Sequence, residues 1–322
     1  MKVTNGIKIA MANKPLCYKT LLSRTLVSMI LTLTCFLVAG IIIDDVLQSV
    51  AFNDFVTFLR SSLKNFVTLQ DEANANFASI FASHLKTIFS VIESRATEVW
   101  LIVGGILLLI QIAKFATSLC DYVVAVNVNE HMSSLRHAKF FSTLAEHFKP
   151  AFRYATYCVI SLFLYNTVII AISILLVVGL LELIGIFVLP VVISFILFAD
   201  AFRLMLVGMV PAKMVCEGCK ATVAFKEAFK GLDFRIMLER FISYFTMRVL
   251  HIVVTVIAAS ATFGVSVLIT FPLFSVSYMA VRFVDYYTVK IKKYYVTFDN
   301  IVVPKELRTK GEQLLNQVDI DA

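Results

Sequence analysis

Long runs without a charged residue constrain this chain more than any other feature. Residues 25–43 contain no charge over nineteen positions, and residues 252–281 contain none at all. Residues 154–181 and 183–199 are separated by the single charge of Glu182. A run of about 20 apolar residues can cross a bilayer as a helix, and backbone groups in lipid must be paired within helices or closed barrels. Because the apolar runs are continuous rather than alternating, they predict helices.

The composition agrees with a membrane protein. Apolar residues make up 59% of the 322 positions and charged residues 16%, whereas a soluble domain has roughly 45–50% and about 25%. One soluble core could not bury so much apolar surface. We therefore predict an all-α integral membrane protein, a six-span helical bundle with an extracytoplasmic helical hairpin. The predicted spans are about 25–43, 99–118, 155–175, 184–205, 241–262 and 265–285.

The last two predicted spans form one apolar run that is interrupted around Gly264. A single helix kinked at Pro272 is the alternative, but it would be too long for a hydrocarbon core of about 30 Å unless strongly tilted. It would also move the basic tail to the outer side. Two spans are therefore favoured.

Charges on the flanking segments predict the orientation. Residues 1–24 carry five basic and no acidic residues, whereas residues 44–98 carry four basic and seven acidic ones. Residues 206–240 and the tail after residue 285 again have more basic than acidic residues. Since cytoplasmic flanks retain Lys and Arg, we expect a plasma-membrane protein with both termini in the cytoplasm. We attribute the net charge of +7 to this excess of cytoplasmic Lys and Arg and not to nucleic-acid binding.

The predicted organisation follows from these segments. Residues 1–24 form a cytoplasmic head, and residues 25–118 form the first two spans, which are joined by the outer hairpin 44–98. A cytoplasmic amphipathic loop follows at 119–153. Residues 154–285 form a four-span bundle that includes the cytoplasmic loop 206–240, and residues 286–322 form a cytoplasmic tail. Within 44–98, apolar spacings of three and four predict two amphipathic helices that break at DEANAN, 71–76. Their apolar faces are expected to pack on each other; a partner-binding or membrane-surface role is the alternative.

The pair Cys216 and Cys219, in CEGC, is the first candidate for a metal or redox site. A structural zinc site usually needs four ligands, and only His131, His137 and His147 on the other inner loop could complete one. A helix followed by a turn at Gly218 is the favoured interpretation. No metal or other cofactor is predicted.

Charges close to the membrane are more informative, because they are costly there. Three pairs lie three residues apart near the predicted cytoplasmic ends of spans: Asp200 and Arg203, Arg248 and His251, and Arg282 and Asp285. They indicate either a polar cavity or anionic-substrate site open to the cytoplasm, or side chains that extend to the membrane interface and form ion pairs that lock the bundle together. Glu182 is expected in an outer turn, with a proton relay as the alternative.

One segment resembles a known family. Residues 200–262, which include DAFRLMLVGMVPAKMVCEGCKATVAFKEAFKGLDFRIMLERF, look like the membrane domain found beside glycerophosphodiester phosphodiesterases and like related uncharacterised bacterial multi-pass families. The resemblance implies a membrane module and transfers no catalytic residue. The tail KKYYVTFDNIVVPKELR is similar to the short cytoplasmic endings of small bacterial membrane proteins, which implies a strand pair followed by a helix.

No catalytic motif is recognised, so a non-enzymatic function is expected. The leading expectation is a scaffold or accessory subunit that acts through lipids, a protein subunit or a second copy of itself. The alternative is a transporter of a small anionic solute or lipid, with Asp200, Arg203, Arg248 and His251 in an inward-facing cavity.

Overall fold

The computed structural model describes residues 2–47, 49–67, 77–93, 96–136, 139–228, 234–262, 264, 266–304 and 307. These residues form twelve α-helices and one two-stranded sheet. The helices are α1 Lys2–Ala12, α2 Lys14–Leu47, α3 Val50–Val67, α4 Phe77–Glu93, α5 Ala96–Ser134, α6 Phe140–Glu146, α7 Phe148–Ile184, α8 Val188–Val207, α9 Val210–Glu217, α10 Ala221–Ala228, α11 Phe234–Ala261 and α12 Val267–Val289. The strands are β1 Tyr294–Thr297 and β2 Asn300–Val302.

Six helical segments within the described residues are long and apolar enough to cross a membrane. They are Lys14–Leu37, Gly104–Ser134, Phe148–Leu180, Val188–Glu217, Phe234–Ala261 and Val267–Val289. The prediction of six such segments in a helical chain is confirmed at this level. Several helices are longer than predicted: α5 continues to Ser134 and α7 begins at Phe148, because apolar helical periodicity extends past the uncharged runs.

The chain forms two compact units. The first consists of Met1–Leu26, Phe115–Ile160 and Leu197–Ala322, and the second of Val27–Lys114 and Ser161–Ile196. The first unit therefore contains the beginnings of α2 and α7, the ends of α5 and α8, and all of α11 and α12.

Helix α12 forms the centre of the first unit. Fourteen of its residues are buried, including Phe283 and Val284. Helix α1 packs along it. A Cβ added at Gly6 would lie 3.2 Å from the Ser277 carbonyl oxygen, so glycine allows the two backbones to approach closely.

Helices α11 and α12 form an antiparallel pair. Their contacts join Arg240 to Asp285, Arg248 to Tyr278, His251 to Phe274, and Thr255 to Thr270. Residue numbers rise along α11 as they fall along α12, so the two helices run in opposite directions. Gly264 lies between them with φ +88°, a conformation that glycine adopts without strain. The predicted reversal is confirmed, and a single long helix kinked at Pro272 is excluded.

In the second unit, α3 and α4 pack through aromatic rings. The Phe55 and Phe81 centroids are 5.7 Å apart, and those of Phe58 and Phe77 are 5.4 Å apart. The two helices thus contact each other through aromatic side chains. The predicted break at 71–76 lies outside the described residues, and the outer location of this pair stays a prediction.

After α12 the chain forms the predicted strand pair. Strands β1 and β2 are antiparallel, with Tyr294 opposite Val302. Tyr294 is buried, and its hydroxyl oxygen accepts a hydrogen bond from Asn5 Nδ2 at 3.0 Å. The hairpin therefore packs on α1. The helix predicted next falls beyond residue 307, outside the described residues.

Candidate anion-binding site

A cavity of about 200 Å³ lies within the first unit. It is bounded by α2, α5, α8, α11 and α12. Its polar wall consists of Arg24, Asp121, Arg203, Arg248, His251, Ser275 and Arg282, and its apolar wall of Leu204, Phe271, Tyr278 and Met279. Four of the six residues predicted from the sequence therefore share one cavity: Arg203, Arg248, His251 and Arg282.

The charged residues all lie inside helices that are candidate spans. Arg282, for example, precedes the end of α12 by seven residues, or about 10 Å at ~1.5 Å per residue. Each charge falls in the part of its helix that belongs to the first unit. This is why groups that are distant in sequence share one cavity.

Asp200 holds two of the arginines. Its carboxylate forms ion pairs with Arg203 on the same helix and with Arg248 on α11. The spacing of three residues predicted the first contact, whereas the second joins α8 to α11. The Arg248 guanidinium also lies 4.6 Å from the centroid of the Tyr278 ring, a distance typical of a cation–π contact.

Arg24 and Asp121 form a second bridge, between α2 and α5. Arg24 Nη2 donates a hydrogen bond to Asp121 Oδ1 at 2.5 Å. The Arg24 guanidinium carbon is 5.4 Å from the Phe271 ring centroid. Sequence reasoning did not select either residue for the site. The signal that could have found them is position, because each is a charge near the predicted cytoplasmic end of a span.

Arg282 differs from the other arginines. Over the residues that the structure describes, its guanidinium forms no ion pair, whereas each of the other three arginines of the cavity contacts a carboxylate. Among the same residues, its buried Nε has no hydrogen-bond partner, as is also true of the Nε atoms of the other three. The expected pair with Asp285 does not form. Asp285 instead contacts Lys2 at 2.7 Å and Arg240 at 2.7 Å, because α1 and α11 bring these cations to its buried carboxylate. Asp285 thus lies outside the cavity wall.

His251 contributes an aromatic surface. Its ring stacks on Phe274 with centroids 4.5 Å apart and an interplanar angle of 22°. The Tyr278 ring meets it edge-on at 6.0 Å. The spacing of three residues between Arg248 and His251 therefore places a cation and an aromatic ring on the same wall.

The charges around the cavity do not balance. Four guanidinium groups, those of Arg24, Arg203, Arg248 and Arg282, accompany the two carboxylates of Asp121 and Asp200. Four positive and two negative charges leave a net charge of +2. In a partly water-excluded cavity such an excess attracts anions, and guanidinium groups match the oxygens of carboxylates and phosphates.

The CEGC segment is a helix followed by a turn. Gly218 ends α9 in the left-handed conformation, with φ 64°. The Cys216 thiol donates to Asn129 Oδ1 at 3.1 Å, whereas the Cys219 thiol lies 3.7 Å from the Lys213 carbonyl oxygen. Burial raises the pKa of the Cys219 thiol, which favours its protonated form over a metal-binding thiolate.

The two described histidines of segment 121–153, His131 and His147, lie in different helices or turns. His131 is buried, with Nε2 3.5 Å from the Val296 carbonyl oxygen. His147 Nδ1 lies 3.3 Å from the Thr143 carbonyl oxygen, one turn back in the chain. His137 lies outside the described residues, as does the side chain of Glu182.

Comparison with family models, curated proteins and solved structures gives no match for this chain. The resemblance of residues 200–262 to the membrane domain beside glycerophosphodiester phosphodiesterases stays a prediction. Function is therefore inferred from the cavity and its charges.

Proposed function

We propose that the protein is a multi-pass membrane transporter that takes a small anionic solute, or the anionic headgroup of a lipid, into this cavity. The observation that carries the proposal is the excess of arginine over carboxylate around one cavity, together with the finding that Arg282 forms no ion pair with any residue that the structure describes. A cation held in this way is costly unless an anion compensates it.

Ion pairs that lock the bundle are the competing explanation. They account for Arg24 with Asp121 and for Arg203 and Arg248 with Asp200. They do not account for Arg282, which ties α12 to no carboxylate among the described residues. An apolar residue would pack better at a purely structural position.

The membrane arrangement belongs to the same proposal. The six candidate spans cross the plasma membrane, both termini lie in the cytoplasm, and the 44–98 segment lies outside. The cavity is formed by the first half of α2, the middle of α11, the second halves of α5 and α8, and α12. With both termini in the cytoplasm, we propose that it opens toward the cytoplasm. Its cationic wall suits capture of anions from that side.

The test is anion uptake into proteoliposomes that contain the purified protein. We expect Arg282→Gln to abolish most saturable uptake of the transported anion in a panel of radiolabelled phosphate, sulfate and dicarboxylate. Arg235 is exposed on α11, so Arg235→Gln removes the same charge away from the cavity and should leave uptake unchanged. Equal uptake by the wild type and Arg282→Gln would contradict the proposal.

The scaffold or accessory role expected from the sequence stays a prediction. Native mass spectrometry of gently extracted protein distinguishes it from the transporter. A fixed protein subunit or homo-oligomer without a retained anion favours the scaffold. A chain that retains an anion or lipid, and loses it in Arg282→Gln, favours the transporter.

A further inference from the structure

We infer that the group bound in the cavity is a dianionic phosphate, of the kind found in a phosphomonoester, and not a carboxylate or a phosphodiester. This inference rests on the proposed function and specifies the ligand class. It follows from the charge of the cavity, from the arrangement of its donors and from the nature of its walls.

The charge of the cavity matches a dianion. Four arginines and Asp121 line the cavity, and Asp200, which is not in the lining, pairs with Arg203 and Arg248. Counted together, these six side chains leave a net charge of +2. A phosphate monoester carries about −1.5 to −2 at neutral pH. A carboxylate or phosphodiester carries one negative charge and would leave a cation uncompensated where water is partly excluded, which is unfavourable.

The donors approach from several directions. Arg24 lies on α2, Arg203 on α8, Arg248 on α11 and Arg282 on α12. Arg24 uses Nη2 to contact Asp121, and Arg248 uses Nη2 to contact Asp200. An arginine has five N–H donors, so each of these two keeps further donors while its aspartate fixes its position. Donors from four helices suit the three acceptor oxygens of a phosphate group better than the two oxygens of a planar carboxylate.

The walls provide for the organic part of the ligand. Leu204, Phe271 and Met279 line the same cavity as the arginines. The cavity of about 200 Å³ greatly exceeds the roughly 10–15 Å³ that one water needs. A phosphate group can therefore contact the arginines while an attached organic group packs on the apolar wall.

A lipid headgroup and a soluble phosphate share this chemistry, and the experiment separates them. The full chain is placed in phosphatidylcholine nanodiscs, and binding is followed by the thermal unfolding midpoint. The soluble probes are inorganic phosphate and acetate. The lipid probes are phosphatidic acid, a monoester, and phosphatidylglycerol, a diester.

For the wild type, we expect one of two preferences. Either phosphate binds at least about tenfold more tightly than acetate, or phosphatidic acid binds at least about tenfold more tightly than phosphatidylglycerol. The reason is that the second negative charge of the monoester compensates one further positive charge of the cavity. Arg282→Gln should abolish this preference. Arg282→Lys keeps the net charge and should retain it, and Arg235→Gln should change nothing. If Arg282→Gln fails to fold, loss of the preference in a folded Arg282→Lys variant overturns the charge argument.

The other outcomes are equally distinct. Preference in the soluble arm alone identifies a free phosphate compound, and preference in the lipid arm alone identifies a headgroup. The inference is overturned if acetate binds as tightly as phosphate and phosphatidylglycerol binds as tightly as phosphatidic acid. The proposed function as an anion transporter would then still stand. If no probe binds in either arm, the inference fails. The proposed function fails as well only if the uptake panel, which also contains sulfate and a dicarboxylate, shows no saturable uptake.

Discussion

At the scale of single residues, Asp285 shows how the first unit is held together. Its carboxylate is 1% exposed and contacts Lys2 of α1 and Arg240 of α11. Arg240 is also buried. Three helices therefore meet at one carboxylate, and removal of its charge leaves two cations without their partner in a site that water barely reaches.

We predict that Asp285→Asn destabilises the protein by about 3–5 kcal/mol, the usual effect of removing one partner of a buried ion pair. The free energy of unfolding would be measured by denaturant titration in micelles. Glu239 also contacts Lys2, at 3.1 Å, but its side chain is 61% exposed, so Glu239→Gln should change stability by less than about 1 kcal/mol. Similar effects of both substitutions would show that Asp285 is not the junction.

At the scale of elements, the antiparallel pair α11 and α12 brings half of the cavity together. Arg248 and His251 on α11 face Phe274 and Tyr278 on α12, and Arg282 lies one turn further along α12. Without the reversal at Gly264, these groups would be spread along a single helix. The pairing of the two helices is therefore a condition for the site.

This pairing predicts a specific crosslink. The hydroxyl oxygens of Thr255 and Thr270 are 3.4 Å apart, so the sulfur atoms of cysteines at both positions would lie within reach of each other. After the six native cysteines are replaced by alanine, Thr255→Cys with Thr270→Cys should oxidise to a band of altered mobility on non-reducing gels. Leu268, which is 55% exposed on α12, provides the control in Thr255→Cys with Leu268→Cys. Crosslinking of both pairs, or of neither, would contradict the antiparallel arrangement.

The elements were far more predictable than the site. Uncharged runs and the break at Gly264 are local signals, so they indicate six helical segments and the reversal before α12. The contact between Asp200 and Arg203 is local as well, since both lie on one turn of helix. The bridge between Arg24 and Asp121 spans 97 positions and depends on how helices pack, which no spacing in the sequence encodes. For the same reason, the sequence suggested Arg282 as the partner of Asp285.

At the scale of the whole molecule, the six candidate spans lead to one prediction about sidedness. With alternating spans, residues 44–98 lie on the opposite side of the membrane from the strand pair after α12. Ser61 of α3 and Asp299 between the strands are both exposed, which makes them suitable reporters.

Each cysteine is introduced into the cysteine-free protein and labelled in intact cells with a membrane-impermeant maleimide. Ser61→Cys should react directly, whereas Asp299→Cys should react only after the membrane has been permeabilised. The reason is that the basic flanks stay in the cytoplasm. The unsubstituted cysteine-free protein controls for background labelling. Labelling of Asp299→Cys in intact cells would place the tail outside and reverse the orientation of the cavity.

The central position of α12 has a consequence for how the protein is made. This helix packs against α1, which precedes it in the chain by some 250 residues. During synthesis, Gly6 and Lys2 therefore lack their contacts on α12 until that helix has been made, and the first unit cannot be completed before then. A chain truncated before α12 would lack the helix on which the first unit packs. We expect cellular quality control to recognise such a chain as unassembled.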